Sequence, residues 1–155
     1  MHNKAFTLVE ILIVVIILGI LAAIVIPQFT QASEDARESA LASDLQMLRS
    51  QLELYHIQHL DTYPDAAAEA DWIVQLTEGT DVLGAAGSDF GPYMHKFPTN
   101  PFVSSAVTTL VTFEADGTVT APPGDDASHW WFNTTSGKIG PNDSKGDAGN
   151  EHSTW

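Results

Sequence analysis

The chain has 155 residues, no cysteine and a formal net charge of -14, from 20 Asp and Glu against six Lys and Arg. That balance excludes recognition of a phosphate backbone, which needs a basic patch, and the missing thiols exclude disulfide staples, cysteine nucleophiles and thiolate metal sites. Once a helix of about fifty residues is set aside, what remains suffices for one small domain and not two.

Residues 1–5 form a short polar leader carrying Lys4. Residues 6–26, FTLVEILIVVIILGILAAIVI, are then apolar except for Thr7, Gly19 and one carboxylate, Glu10. As a helix this run is about 31 Å long, against a hydrocarbon thickness of about 30 Å, so it spans a bilayer once. A soluble core helix seldom lacks a polar stripe over five turns. A cleaved secretory signal would end at small residues such as Ala22 and Ala23, but here a helical pattern continues beyond Pro27. His2 and Lys4 precede the run and acidic residues dominate beyond it, which keeps the N-terminus cytoplasmic and sends the remainder to the periplasm or exterior. Glu10 within the apolar run needs a partner or a route to the interface, and is the first functional candidate.

Pro27 removes an N–H and clashes with the carbonyl of Ala23, and Gly19 weakens the same segment, so a kink or loosening is expected around Gly19 and Pro27. Beyond it, Phe29, Ala32, Ala36 and Ala40 step by three or four residues, and Leu41, Leu45, Leu48, Leu52 and Tyr55 continue as a sharper stripe, widened by Met47 and Leu54. The helix therefore leaves the membrane and runs to about residue 60, where Pro64 biases Tyr63 away from helix. A short helix is predicted over 66–76, with Ala70, Ile73 and Val74 inward and Trp72 a further candidate. Residues 79–91 read as a Gly-rich loop, and 90–102, punctuated by Pro92, Pro98 and Pro101, as irregular or extended chain. Residues 108–120 carry strand-type side chains on both sides of Asp116-Gly117, a hairpin signal, and Trp130 to Asn133 is a further strand. Residues 140–155 read as a polar surface tail.

A basic leader, a small residue, then Phe6-Thr7-Leu8-Val9-Glu10, an apolar run and Pro27 resemble the class III signal of type IV pilins and type II secretion pseudopilins. The resemblance implies that a prepilin peptidase cuts between Ala5 and Phe6 and methylates the new amine of Phe6. Gly is the usual residue before that cut, and Ala5 departs from it. It also implies that Glu10 serves assembly, neutralising the Phe6 amine of an adjacent subunit in an apolar filament core. Residues 52–64 (LELYHIQHLDTYP), 91–98 (GPYMHKFP) and 100–102 (NPF) narrow the resemblance toward the major pseudopilins of type II secretion.

No catalytic signature is present: neither G-x-S-x-G, H-E-x-x-H, a P-loop nor a dinucleotide glycine pattern occurs. His56 and His59, three apart on a helix, lack a third ligand and read as solvent-exposed polar residues. Trp130, Trp131 and Phe132 read as a strand burying one aromatic on each face rather than as a carbohydrate platform. Asp125, Asp126, Asn142, Asp143, Asp147 and Glu151 are hard oxygen donors that suit calcium, without EF-hand spacing. The resembled major pseudopilins bind calcium in a C-terminal loop; from the residues alone, a solvated acidic tail is the reading.

The expected fold is α+β, a pilin-like fold in which the second half of a long N-terminal helix packs on a small antiparallel sheet of three or four strands. Its parts are a leader (1–5), a long helix (6–60) with a transmembrane segment (6–26), and a small C-terminal α+β region (61–155). The expected function is that of a non-enzymatic filament subunit, the major pseudopilin of a type II secretion system, anchored in the bacterial inner membrane with its C-terminal domain periplasmic. Its partners by resemblance are further copies of itself in a helical filament, the prepilin peptidase, an assembly ATPase and platform protein, and minor pseudopilins. The alternatives are an extracellular type IV major pilin and, in another class, a periplasmic binding domain or enzyme on an uncleaved tether.

Overall fold

The computed structural model describes residues 7–145 and 152. Helix α1 spans Leu8–Gln58, helix α2 Glu69–Thr77, and three strands follow: β1 Val111–Glu114, β2 Trp130–Asn133 and β3 Ile139–Pro141. The chain divides into two compact units, Met1–Glu38 and Ser39–Trp155.

In the first unit the described residues are helical from Leu8 onward and none is buried. Leu8 is 82% exposed and Phe29 74%, and the aliphatic side chains between them are all largely uncovered. The mean hydropathy of the most apolar 18-residue window is 3.3. A surface so apolar needs lipid or other chains around it.

The second unit has a core of its own. Leu41, Leu45, Leu48, Leu52 and Tyr55, at alternating steps of four and three, form one buried stripe on α1 and meet Trp72 and Leu76 of α2, Val111 of β1, Trp130 and Phe132 of β2 and Ile139 of β3. Met47 packs at the edge of this core as expected, whereas Leu54 is 42% exposed. Helix α2 begins three residues later than predicted. It turns Trp72 and Leu76 inward, an i, i+4 pair, and leaves Ala70 and Val74 exposed, with Ile73 at the margin. Its first residue has a task that the pattern does not reveal: Glu69 Oε1 accepts the backbone N–H of Leu110 and, at 3.2 Å, that of Val111, fixing the start of β1 on α2.

The sheet has the order β1-β2-β3, with β1 and β2 parallel and β2 and β3 antiparallel. It is mixed rather than wholly antiparallel, because the expected hairpin at Asp116-Gly117 does not form. A two-residue hairpin turn needs positive φ, and neither residue has it. Asp116 instead accepts the N–H and hydroxyl of Thr118 at 2.8 and 2.7 Å. The carbonyls of Asp116 and Val119 are taken by the side-chain amide of Asn133, at 2.9 and 3.0 Å. Residues 115–129 thus cross over and deliver β2 beside β1 in the same direction, Val111 opposite Trp130 and Phe113 opposite Phe132. The region read as a surface tail, 140–155, also enters the sheet and core: β3 pairs Gly140 with Trp131 and Pro141 with Trp130, and Asn142, Asp143 and His152 are buried.

Candidate functional site

The helix start is built by a reciprocal pair. Thr7 donates through both its backbone N–H and its hydroxyl to Glu10 Oε2, each at 2.8 Å, and Glu10 N–H donates to Thr7 Oγ1 at 3.2 Å. This is a capping box, T-x-x-E, which satisfies helix donors that have no intrahelical acceptor. Glu10 therefore has a local task that its place in the apolar run did not announce, although the Thr7-to-Glu10 spacing was there to be read. These bonds use one carboxylate oxygen, Oε2. Gly19 and Pro27 lie within α1, and helix continues through both. Just after the proline, the Thr30 hydroxyl donates to the Ile26 carbonyl at 3.3 Å. Ala5 and Phe6 lie outside the described residues.

Of the six candidate metal ligands, Asp147 and Glu151 also lie outside the described residues. The structure brings the other four together but turns them onto protein donors. The Asn142 amide donates to Asp125 Oδ1 at 2.8 Å and to Ser128 Oγ at 3.0 Å, while its oxygen accepts Gly124 N–H at 2.9 Å. Asp126 Oδ1 accepts Ser144 N–H at 2.9 Å. Asp143, fully buried, receives the Asn100 amide on Oδ2 at 2.6 Å and His152 Nδ1–H on Oδ1 at 2.8 Å. Among the described residues no group of three or more His, Asp or Glu side chains is placed to hold an ion. Asp125 Oδ1, Asp126 Oδ1, Asn142 Oδ1 and both oxygens of Asp143 thus already serve as acceptors, tying residues 124–128 to residues 142–144 and Asp143 to Asn100 and His152. Asn100 and His152 are the members of this cluster that the sequence did not disclose.

His59 is not solvent-exposed. It is buried, stacked on Tyr55 with ring centroids 3.7 Å apart, and bonded through Nδ1 to the Tyr55 carbonyl and through Nε2 to Thr80 Oγ1, both at 2.9 Å. The carbonyl can only accept, so Nδ1 carries the proton. The imidazole thereby ties the loop after α2 to the end of α1. Tyr55 donates to Gln75 Oε1 at 3.0 Å, and burial, with Tyr93 and then Asp65 and Asp81 adding to it, pushes its phenol up to about 12. His56 is half-buried and stacks on Tyr63 at 4.2 Å. Trp130, Trp131 and Phe132 are all buried, and no aromatic platform faces solvent there.

The hydroxyl of Thr80 and the imidazole of His59, both buried, hold the loop after α2 on α1, while the apolar helix is conspicuous. Residues 1–26 match the prokaryotic N-terminal methylation motif. The chain is 30% identical over 101 residues to the type II secretion system core protein G of Pseudomonas aeruginosa, covering 65% of this chain and 69% of that one. It is 30% identical over 103 residues to core protein G of Klebsiella pneumoniae, covering 66% and 71%. This chain belongs to the core protein G family of type II secretion. It is a pilin-like protein, similar to the major pseudopilins. A type IV major pilin, PilA of Myxococcus xanthus, is 39% identical over 88 residues, but that match covers only 56% of this pseudopilin and 40% of the pilin. No solved structure matches.

Proposed function

We propose that the chain is a non-catalytic building block, made as a precursor in the bacterial inner membrane and assembled into a periplasmic filament. The single observation that carries this reading is the uncovered apolar surface of residues 8–29, which lipid covers in the subunit and neighbouring helices cover in the filament. In this reading residues 1–5 are a leader, residues 6–60 the filament helix and residues 61–155 the outward region packed on it. The leader is removed between Ala5 and Phe6 by a prepilin peptidase, and the Phe6 amine is methylated. With His2 and Lys4 on the cytoplasmic side, the helix is a single pass and the second unit is periplasmic.

The new amine is four residues from Glu10 in the sequence. In an apolar filament core it needs a counter-charge, and Glu10 of a neighbour supplies one through Oε1 while Oε2 stays with Thr7. A slipped apolar stripe costs little and a buried unpaired charge costs much, so this pair sets the axial register. Gly19 and Pro27 give the helix a place to loosen as neighbours pack. An assembly ATPase, a platform protein and minor pseudopilins complete the machinery.

The test is to delete the gene in its host, restore the wild-type or a leader-blocked chain, and follow three outputs: leader cleavage, filaments sheared from cells, and secreted protein. Loss of secretion with no loss of surface pili supports the pseudopilus. Loss of surface pili with secretion intact supports the type IV pilin reading that the Myxococcus relative favours. Full function from an uncleaved chain would mean a tethered domain instead.

A further inference from the structure

Two surfaces on the second unit are complementary to each other. The first is the loop after α2, whose tip holds Val82 and Leu83 in solvent, Leu83 at 80% exposure. The tip is preorganised. Asp81 Oδ1 accepts the N–H groups of Leu83 and Ala85 at 2.9 and 3.0 Å, and Gly84 N–H returns to the Asp81 carbonyl at 3.0 Å. Gly84 has φ +82, and a Cβ there would stand 2.6 Å from Tyr55 Oη, so the tip is seated against α1 and α2. Around its base lie Val74 and the carboxylates of Asp65, Asp71 and Glu78. A rigid aliphatic knob is thus set in an acidic surround.

The second surface is a groove of about 580 Å³ between α1, β2 and β3. Leu52, Tyr63, Pro122 and Trp131 line it, with Arg49 and Lys138 as its cations and Glu53 as its one acid. Arg49 is held there by a bond from Nη2 to the Ile139 carbonyl at 3.3 Å. In a chain with six Lys and Arg among 20 acidic residues, two cations beside one hollow are a local reversal of sign. The knob and the groove share no residue, so neither is consumed by the other within one chain's lining.

We propose that the Val82-Leu83 tip of one copy of this chain docks in the Arg49–Lys138 groove of the next. The aliphatic pair covers the apolar floor, and Glu78 and its neighbours face the two cations. A contact between two different patches is head-to-tail, and when its rotation does not close it propagates as an open helix, which is the geometry a filament requires. Charge complementarity of this kind fixes partner and orientation more than raw affinity. The inference rests on the filament reading above and assigns one of its lateral contacts.

The absence of cysteine makes cross-linking clean. Leu83→Cys and Ala121→Cys, both at exposed positions, the latter on the groove wall, are placed in one full-length chain and expressed with the assembly machinery. Oxidised, sheared filaments of the double variant are expected to run as a ladder of dimers, trimers and higher species, while each single variant stays monomeric. Double-variant filaments recovered at wild-type yield that remain monomeric after oxidation overturn this contact and leave the filament reading standing. Wild-type chain that yields no filaments overturns the filament reading itself, and this contact with it. Independently of cysteine, Lys138→Glu is expected to lower filament yield about tenfold and Glu78→Lys in the same chain to restore it; an undiminished yield from Lys138→Glu overturns the charge match.

Discussion

Glu10→Gln separates the capping bonds that the carboxylate makes from the charge pairing proposed for it. Gln closes a capping box with Thr7 as Glu does, so the helix start is kept and only the charge is lost. If Glu10 neutralises a neighbour's Phe6 amine, that amine is then stranded in an apolar core. Removing one partner of a buried pair costs about 3 to 5 kcal/mol, or about a hundredfold to several-thousandfold in the subunit concentration at which filaments form. Thr7→Ala is the mirror experiment: it breaks the box and keeps the charge. Losing a helix cap costs about 0.5 to 2 kcal/mol, which is small beside the pair. Glu10→Ala removes both, yet the monomer should enter the membrane at least as well as wild type, since a carboxylate in lipid is a penalty. The assay compares membrane-fraction level, leader cleavage and sheared filament yield for the three variants. The expected order of yield is wild type, then Thr7→Ala, with Glu10→Gln and Glu10→Ala both near zero. Wild-type filament yield from Glu10→Gln would refute charge pairing and leave the capping box as the reason for Glu10.

A fragment beginning at Gln28 should be a monomer with a cooperative thermal melt, because the stripe from Leu41 to Tyr55 is covered within the second unit; an unfolded or obligately oligomeric fragment would place that stripe between subunits. All three tyrosines are raised by burial, Tyr55 to about 12 from 10.0, so on alkaline absorbance titration none should ionise at the ordinary value while the chain is folded. The sign follows: folded phenols hold their protons above the unfolded value, so this stabilisation is complete below pH 10.0 and is lost as pH rises toward about 12. Gly137, at φ +70 with Tyr63 against the site of a Cβ, should lose about 2 to 5 kcal/mol as Gly137→Ala by combined backbone strain and overpacking, whereas Leu60→Gly, at φ 56 and exposed, should raise the melting temperature. Millimolar calcium should leave the fragment's melting temperature unchanged, since Asp125 Oδ1, Asp126 Oδ1 and both oxygens of Asp143 already accept from protein donors; a rise would mean that Asp147 or Glu151 completes a site.

What the sequence made legible was whatever has a period. The apolar run and the stripe from Leu41 to Tyr55 repeat often enough that tertiary context cannot override them, and the Tyr63-Pro64 stop is local chemistry. Apart from the facing of Leu54, Ala70 and Val74, the misreadings concern polar side chains that act at long range. Asp116-Gly117 looks like a hairpin until Asn133, distant in sequence, takes the carbonyls that a returning strand would have used. His59 looks like a solvated histidine until Thr80 and Tyr55 enclose it. The last residues look like a tail because Asn, Asp and Gly are read as solvent-seeking, yet Asn142 and Asp143 are buried as acceptors and donors for Asn100, Ser128 and His152. A buried polar residue is recognisable only by its partner, and no spacing rule names the partner.

The charge distribution explains why short-range locks matter in such a chain. Copies carrying -14 each repel on approach, and that repulsion is smooth, indifferent to register and screened over about 8 Å at physiological salt. Screening lets subunits come together without telling them how. Orientation must come from interactions that survive inside low-dielectric surroundings and fall off within one residue of slippage. A carboxylate and an amine in an apolar helix bundle meet that requirement along the axis, because slippage leaves both unpaired. An aliphatic tip with acidic flanks against a groove holding Arg49 and Lys138 meets it laterally, because rotation sets like charges face to face. With so few cations on the chain, two at one groove are enough to specify a partner surface, whereas the same pair on a basic protein would specify nothing.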